Sequence, residues 1–169
     1  MKHQILSGMK FMQSTVFALI FSLSLVSCAN EPKPPTADEA KTAITEKINS
    51  ANDKWASGDP MGFVEVAAQD ITWMDDLGAD IPIKGKEALR KYLENFAGQI
   101  PPHQHELFNF WFQYYGEFVI VTYHYQGTLD EVPLEPWKVT SVYRYIDGDW
   151  LSVHENWTEV KPTPQPQAE

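Results

Sequence analysis

The sequence predicts an α+β domain, and three observations carry that prediction. Apolar residues recur at helical spacing between residues 37 and 96, and strand patterning rich in Val, Ile, Thr and aromatics takes over from residue 105. Asp147-Gly148 is a two-residue hairpin turn, a dipeptide suited to a tight turn in which both central residues need positive φ. Helices followed by a meander of long strands give three N-terminal helices packed on one face of a curved, mainly antiparallel sheet.

Thr36 and Glu39 form the S/T-x-x-E capping box of the first helix, along which Ala40, Ile44, Ile48, Ala51 and Trp55 repeat every three or four positions. Gly58 ends it. Asp59 and Pro60 start a short second helix through Phe63, Val64 and Ala67. A strand is expected over Asp70–Asp75, then a turn at Asp76, Gly78 and Asp80, then a short extended piece at Ile81-Pro82-Ile83. Ala88, Leu89, Tyr92, Leu93 and Phe96 line one face of a third helix that stops at Gly98 and the Pro101-Pro102 pair. In the strand His105–Tyr114, period two puts Phe108, Phe110 and Phe112 on one face. Phe118–Thr128 follows, and Trp137–Ile146 and Asp149–Val160 flank the Asp-Gly turn. In a regular hairpin, Ser141, Tyr143, His154 and Asn156 share one face; Thr140, Val142, Val153, Glu155 and Trp157 share the other. A bulge after Trp150 would instead swing His154 inward.

The ends read differently from the middle. Residues 1–27 hold two lysines, no acid and the apolar run VFALIFSLSLV, the layout of a secretory signal and too short to span a bilayer, which needs roughly 20 apolar residues. Leu25-Val26-Ser27-Cys28 resembles the bacterial lipobox, which implies cleavage before Cys28 and its acylation. Cys28 is the only cysteine, so it cannot form an internal disulfide. A proline-rich tether is expected over residues 28–36, one domain over 37–160 and a disordered tail over 161–169. The expected place is the bacterial envelope, held by the lipid anchor. Ala29 after the cysteine favours the outer membrane in a Gram-negative host. Loss of residues 1–27 moves the net charge from −10 to −12, which disfavours nucleic acid and adhesion to anionic lipid through a basic patch.

Two stretches carry a family resemblance. One runs from Ser57-Gly58-Asp59 through Asp70-Ile71-Thr72-Trp73-Met74-Asp75 to Ile83-Lys84-Gly85-Lys86-Glu87-Ala88-Leu89. The other is Asp147-Gly148-Asp149-Trp150-Leu151-Ser152-Val153-His154-Glu155-Asn156-Trp157-Thr158. With the order of elements, they resemble the NTF2-like superfamily, which includes ketosteroid isomerase, scytalone dehydratase and the SnoaL-like polyketide cyclases. The second stretch is similar to the final strand of SnoaL-like domains, with Asn156 where a second histidine is common. The resemblance implies a cone-shaped fold with a deep, mostly apolar pocket that takes a small apolar molecule. The aromatic content agrees: Trp55, Phe63, Tyr92 and Phe96 from the helical half, with Tyr123, Trp137 and Trp157 from the strands, offer ample surface for such a site. Comparison with the isomerase puts the Trp157 face inside, and Thr140 with it.

Asp75 falls on the carboxylate that serves the isomerase as proton-abstracting base, which makes a pocket isomerase, dehydratase or cyclase-like lyase the alternative to a binding domain. The isomerase tyrosine maps to Ala51 and its protonated acid to Thr140 or Ser141, so steroid isomerisation is not implied. His154 is the second candidate for acid–base work. His103 and His105 point the same way and could share a metal with a third ligand, but no spacing supplies one and no metal is expected. With no phosphate loop, dinucleotide fingerprint or nucleophile elbow, no cofactor is expected either. NTF2-like domains often pair through the outer sheet face, which implies a homodimer. The regular hairpin would supply Tyr143, Tyr145, Trp150 and His154 to that face.

Overall fold

A computed structural model describes residues 34–161. The expected signal sequence, Cys28, most of the tether and all but the first residue of the tail lie outside the described residues. The elements are α1 (Ala37–Ala56), α2 (Gly62–Val66), β1 (Ala67–Asp75), β2 (Ala79–Lys84), α3 (Lys86–Glu94), β3 (Gln104–Tyr115), β4 (Phe118–Leu129), β5 (Val132–Pro133), β6 (Trp137–Ile146) and β7 (Asp149–Glu159). The strands form one sheet in the order β2-β1-β7-β6-β4-β3, with β5 on β4. Only β1 and β7 pair in parallel; the other pairs are antiparallel. This is the expected α+β class, and the helices cover the concave face.

Local chemistry explains the first helix. The Thr36 hydroxyl accepts from the Glu39 N–H while the Glu39 carboxylate accepts from the Thr36 N–H at 2.8 Å, so two otherwise orphaned donors are satisfied. Ala40, Ile44, Ile48 and Ala51 are buried along one face, and each isoleucine contributes on the order of 1.5–3 kcal/mol. Gly62 begins α2 where a Cβ would lie 2.9 Å from the Ala51 backbone, so a side chain there would push the two helices apart. Ala67, expected in the second helix, instead opens β1, which is longer than the sequence suggested.

Two bulges overturn the strand parities expected from period two. In β3, Phe108 opposes His124 but Trp111 opposes Thr122, an offset that inserts one extra residue next to Asn109, whose φ is 56°. Phe108 therefore faces outward, stacked on His124, while Phe110 stacks on Tyr123 inside. In the last hairpin Asp147 and Gly148 have φ of 50° and 91°, as the turn requires, and the register begins regularly at Ile146 opposite Asp149. Between Tyr143 opposite Ser152 and Val142 opposite His154, Val153 is the extra residue. Everything beyond it on β7 changes face relative to β6.

Ser141 and Tyr143 thus point inward with Glu155 and Trp157, and Thr140 and Val142 share the outer face with His154 and Asn156. The outward aromatic patch expected of this hairpin does not form: Tyr143 and Trp150 are among the most deeply buried side chains. Exposed aromatics on the outer side come from β3 and β4 instead, with Trp111 at 66% exposure, Tyr115 and Phe118.

Candidate functional site: an aromatic cavity with two polar poles

Between helices and sheet lies a cavity of about 280 Å³, near the lower end of ligand pockets at about 300–1,000 Å³. Its wall is built on Trp157, which meets Phe63 edge-on at 5.3 Å and Tyr125 at 6.0 Å between ring centroids. Phe63 in turn packs against Trp73 and Trp55, and Trp55 against Phe96. Rings from α1, α2, β1 and β7 thus hold one another in place, each pair contributing about 0.5–1.5 kcal/mol beyond burial.

Asp75 forms one polar pole. It ends β1 opposite Trp157, is buried, and stands on the cavity wall. Four donors converge on its carboxylate: the Trp73 indole at 2.5 Å, the Leu77 N–H at 2.9 Å, the Ala79 N–H at 3.2 Å and the Tyr92 hydroxyl, which is 2.8 Å and 2.9 Å from the two oxygens. A carboxylate offers about four lone-pair sites, so this one is fully occupied by the protein. Burial, and then the Asp75 carboxylate beside it, push the Tyr92 phenol well above its ordinary value, so Tyr92 stays a donor. Asp76, next in sequence, is exposed and accepts from the Glu159 N–H.

His103 and Tyr125 form the second pole. The His103 N–H donates to Ala56 O at the end of α1, its ring Nδ1 donates to Pro101 O at 2.8 Å, and its Nε2 meets the Tyr125 hydroxyl. The ring lies over Gly127, where a Cβ would come within 3.2 Å of His103 Cδ2 and 3.0 Å of Leu134 Cδ1. His105 stacks on the other side of Tyr125 at 5.5 Å, with Asp53 near its Nε2. Burial pulls the His105 imidazole below its usual range, against the opposing pull of Asp53. His103 and His105 therefore converge on a tyrosine. Among the described residues no group of three or more His, Cys, Asp or Glu could hold a metal ion.

Of the residues singled out from the sequence, Trp55, Phe63, Phe96, Trp137, Trp157 and Asp75 stand on the cavity wall. Tyr92 lies behind Asp75. Tyr123 is packed in the core against Phe110 and Trp157 and does not reach the cavity. Thr140 is on the outer face because of the Val153 bulge. His154 is there too, although a bulge after Trp150 is expected to swing it inward, because the bulge flips the β6 faces while Trp157 stays inside; His154 Nδ1 shares a 2.7 Å hydrogen bond with Thr72 Oγ1. Burial pulls the His154 imidazole down. Sequence reasoning missed the Tyr125–His103 pair, although Gly127 inside a strand signals a close approach. It also missed Glu155, deeper than Trp157 on the same inward face. Ser141 and Ser152 donate to its two oxygens at 2.5 Å and 2.7 Å, yet burial dominates and pushes this carboxyl up to about 7.

A curved sheet folded round an aromatic cavity and closed by N-terminal helices defines the class of cone-shaped α+β pocket domains. Residues 49–153 match the model of the SnoaL-like domain, and the chain belongs to that family. Among solved structures, it is similar to a protein from Parabacteroides distasonis described provisionally as a ketosteroid isomerase. The two are 29% identical over 68% of this chain and 86% of that one, with a TM-score of 0.59. An NTF2-like protein of unknown function from Pseudomonas putida is 22% identical over 73% and 89%, with a TM-score of 0.64. A protein with a cystatin-like fold from Nostoc punctiforme is 19% identical over 78% and 98%, with a TM-score of 0.65. No curated protein sequence matches the chain.

Proposed function

We propose that this SnoaL-like domain holds a small, largely apolar ligand in the aromatic cavity, anchored in the bacterial envelope through a lipidated Cys28. The observation that carries the binding reading is the wall itself: six interlocked rings around about 280 Å³, with the one buried carboxylate on it already satisfied by protein donors. A second reading, an isomerase, dehydratase or cyclase-like lyase with Asp75 as general base, draws on the same residue. Asp75 stands on the wall and lies 2.8 Å from a tyrosine hydroxyl, and the Parabacteroides protein's provisional description points the same way. Proton abstraction would require substrate to displace one of the four donors, so binding is preferred.

Native mass spectrometry of protein isolated from its own envelope tests these points together. A copurified small molecule and a mass increment from acylation at Cys28 are expected. Bare polypeptide of unprocessed mass would contradict both. Cys28→Ser should leave an unprocessed precursor, or release the domain from the membrane fraction; a variant that is processed and fractionates like wild type would rule out the lipobox. An outer-membrane place follows from Ala29 if the host is Gram-negative. Among the described residues no helix is long and apolar enough to cross a membrane.

A homodimer through the outer sheet face completes the proposal. The aromatic surface there is Trp111 with Phe118 and Tyr115, in place of the buried Tyr143 and Trp150. Trp111→Glu should convert the dimer to monomer in sedimentation velocity without loss of helix or sheet signal. Wild-type protein that is monomeric at tens of micromolar, on the order of a weak dimer's dissociation constant, would count against pairing.

A further inference from the structure

We infer that Tyr125, oriented by His103, is the specificity-determining group of the cavity, and that it selects ligands bearing a hydroxyl that donates to the Tyr125 oxygen. The inference rests on the cavity-binding reading above and adds the ligand's chemical class, a small flat apolar alcohol or phenol.

The direction of each hydrogen bond follows from the partners. Pro101 O can only accept, so His103 carries its proton on Nδ1, and in the neutral ring Nε2 is an acceptor. The Tyr125 hydroxyl must then donate to Nε2. Its proton is engaged, and its oxygen keeps a lone pair with no other partner among the described residues. Burial pushes the Tyr125 phenol above its usual range, so it stays protonated. A ligand placed against the rings of Trp157 and Phe63 therefore meets an acceptor at this end of the cavity.

The other polar groups do not compete. Asp75 has all its lone pairs occupied, and Gln99 and Glu135 are exposed to competing water. The pair is held rigidly: His103 is fixed by Ala56 O, Pro101 O and the space that Gly127 leaves, and Tyr125 is stacked on His105. Such pre-ordering lets one hydrogen bond discriminate between ligands of the same shape.

Isothermal titration of the full chain with naphthalene, 2-naphthol and 2-methoxynaphthalene tests this. The three share a ring system, and only 2-naphthol can donate. Wild type should bind 2-naphthol about tenfold more tightly than its methyl ether. Tyr125→Phe should weaken 2-naphthol until the two are within about twofold, with naphthalene unchanged. His103→Leu should narrow the same gap from the other side, because the freed Tyr125 proton can now donate to the ether oxygen and tighten it. Naphthalene binding without any preference for 2-naphthol in wild type, or a preference that survives Tyr125→Phe, would overturn this inference and leave the cavity reading intact. Binding of none of the three would overturn both.

Discussion

Asp75→Ala should destabilise the protein by about 3–5 kcal/mol, the range expected when a buried, multiply bonded charge is removed and its partners are left without an acceptor. Its carboxylate joins three parts of the chain: the Trp73 indole from β1, the Leu77 and Ala79 N–H groups of the turn into β2, and the Tyr92 hydroxyl from α3. Asp75→Asn should cost less, about 1–2 kcal/mol, because one amide oxygen can still accept from the turn while the amide N–H₂ opposes the Trp73 indole N–H. Chemical denaturation of the three proteins measures this order. An alanine variant within 1 kcal/mol of wild type would mean that the clasp around Asp75 does not hold the fold together. The same pair separates the two functional readings. A binding domain keeps its ligand affinity within a few-fold in Asp75→Asn and has no turnover to lose, whereas a base-dependent enzyme keeps affinity and loses turnover.

Glu155→Gln should have the opposite sign at neutral and alkaline pH. The folded protein binds the Glu155 proton up to about pH 7, whereas a glutamate carboxyl in the unfolded chain releases it near 4.5. Between those values the folded state binds more protons than the unfolded chain, so stability falls as pH rises through the window, and the full cost persists above pH 7. A shift of this size corresponds to roughly 3 kcal/mol at pH 8. Glutamine is a neutral mimic of the protonated acid. Ser152 can continue to donate to its oxygen, and rotation of the Ser141 hydroxyl lets that serine accept from the amide. Thermal unfolding at pH 8 should therefore rise by about 10 °C in the variant, with little difference from wild type below pH 4.5. Parallel pH profiles for the two proteins would show that Glu155 is not a buried, uncompensated acid. Tyr143, packed close to this carboxyl, has its phenol pushed up by burial and then by Glu155.

What the sequence disclosed and what it hid divide along a physical line. The Thr36/Glu39 capping box, the buried stripe of α1 and the Asp147-Gly148 turn are set by residues a few positions apart, so their chemistry can be read locally. The bulges at Asn109 and Val153 answer to the curvature that the whole sheet must adopt, and no residue near them announces which strand will take the extra position. One residue of slip was enough to put Thr140 on the outer face and to bring Ser141 and Tyr143 inside, against the expected faces, while His154 and Glu155 keep the faces expected with Trp157 inside. Asp75, Trp157 and Phe63 could be selected as site candidates because the fold resemblance and the aromatic pattern pointed to them. His103 and Tyr125 are 22 residues apart on either side of a hairpin, and their pairing depends on Gly127 and on the path of the Pro101-Pro102 segment. That is tertiary information.

The central claim is that the ring-lined cavity takes a small apolar molecule. Two-dimensional NMR of the ¹⁵N-labelled chain tests it most directly, because each tryptophan reports through its own indole N–H. Trp55, Trp73, Trp137 and Trp157 stand on the cavity wall, whereas Trp111 is exposed on the outer face and serves as an internal control. Addition of naphthalene should shift the four cavity signals along one saturable curve and leave Trp111 in place. Saturable movement of Trp111 alone, or no saturable shift of the cavity signals up to the solubility limit, would contradict the account.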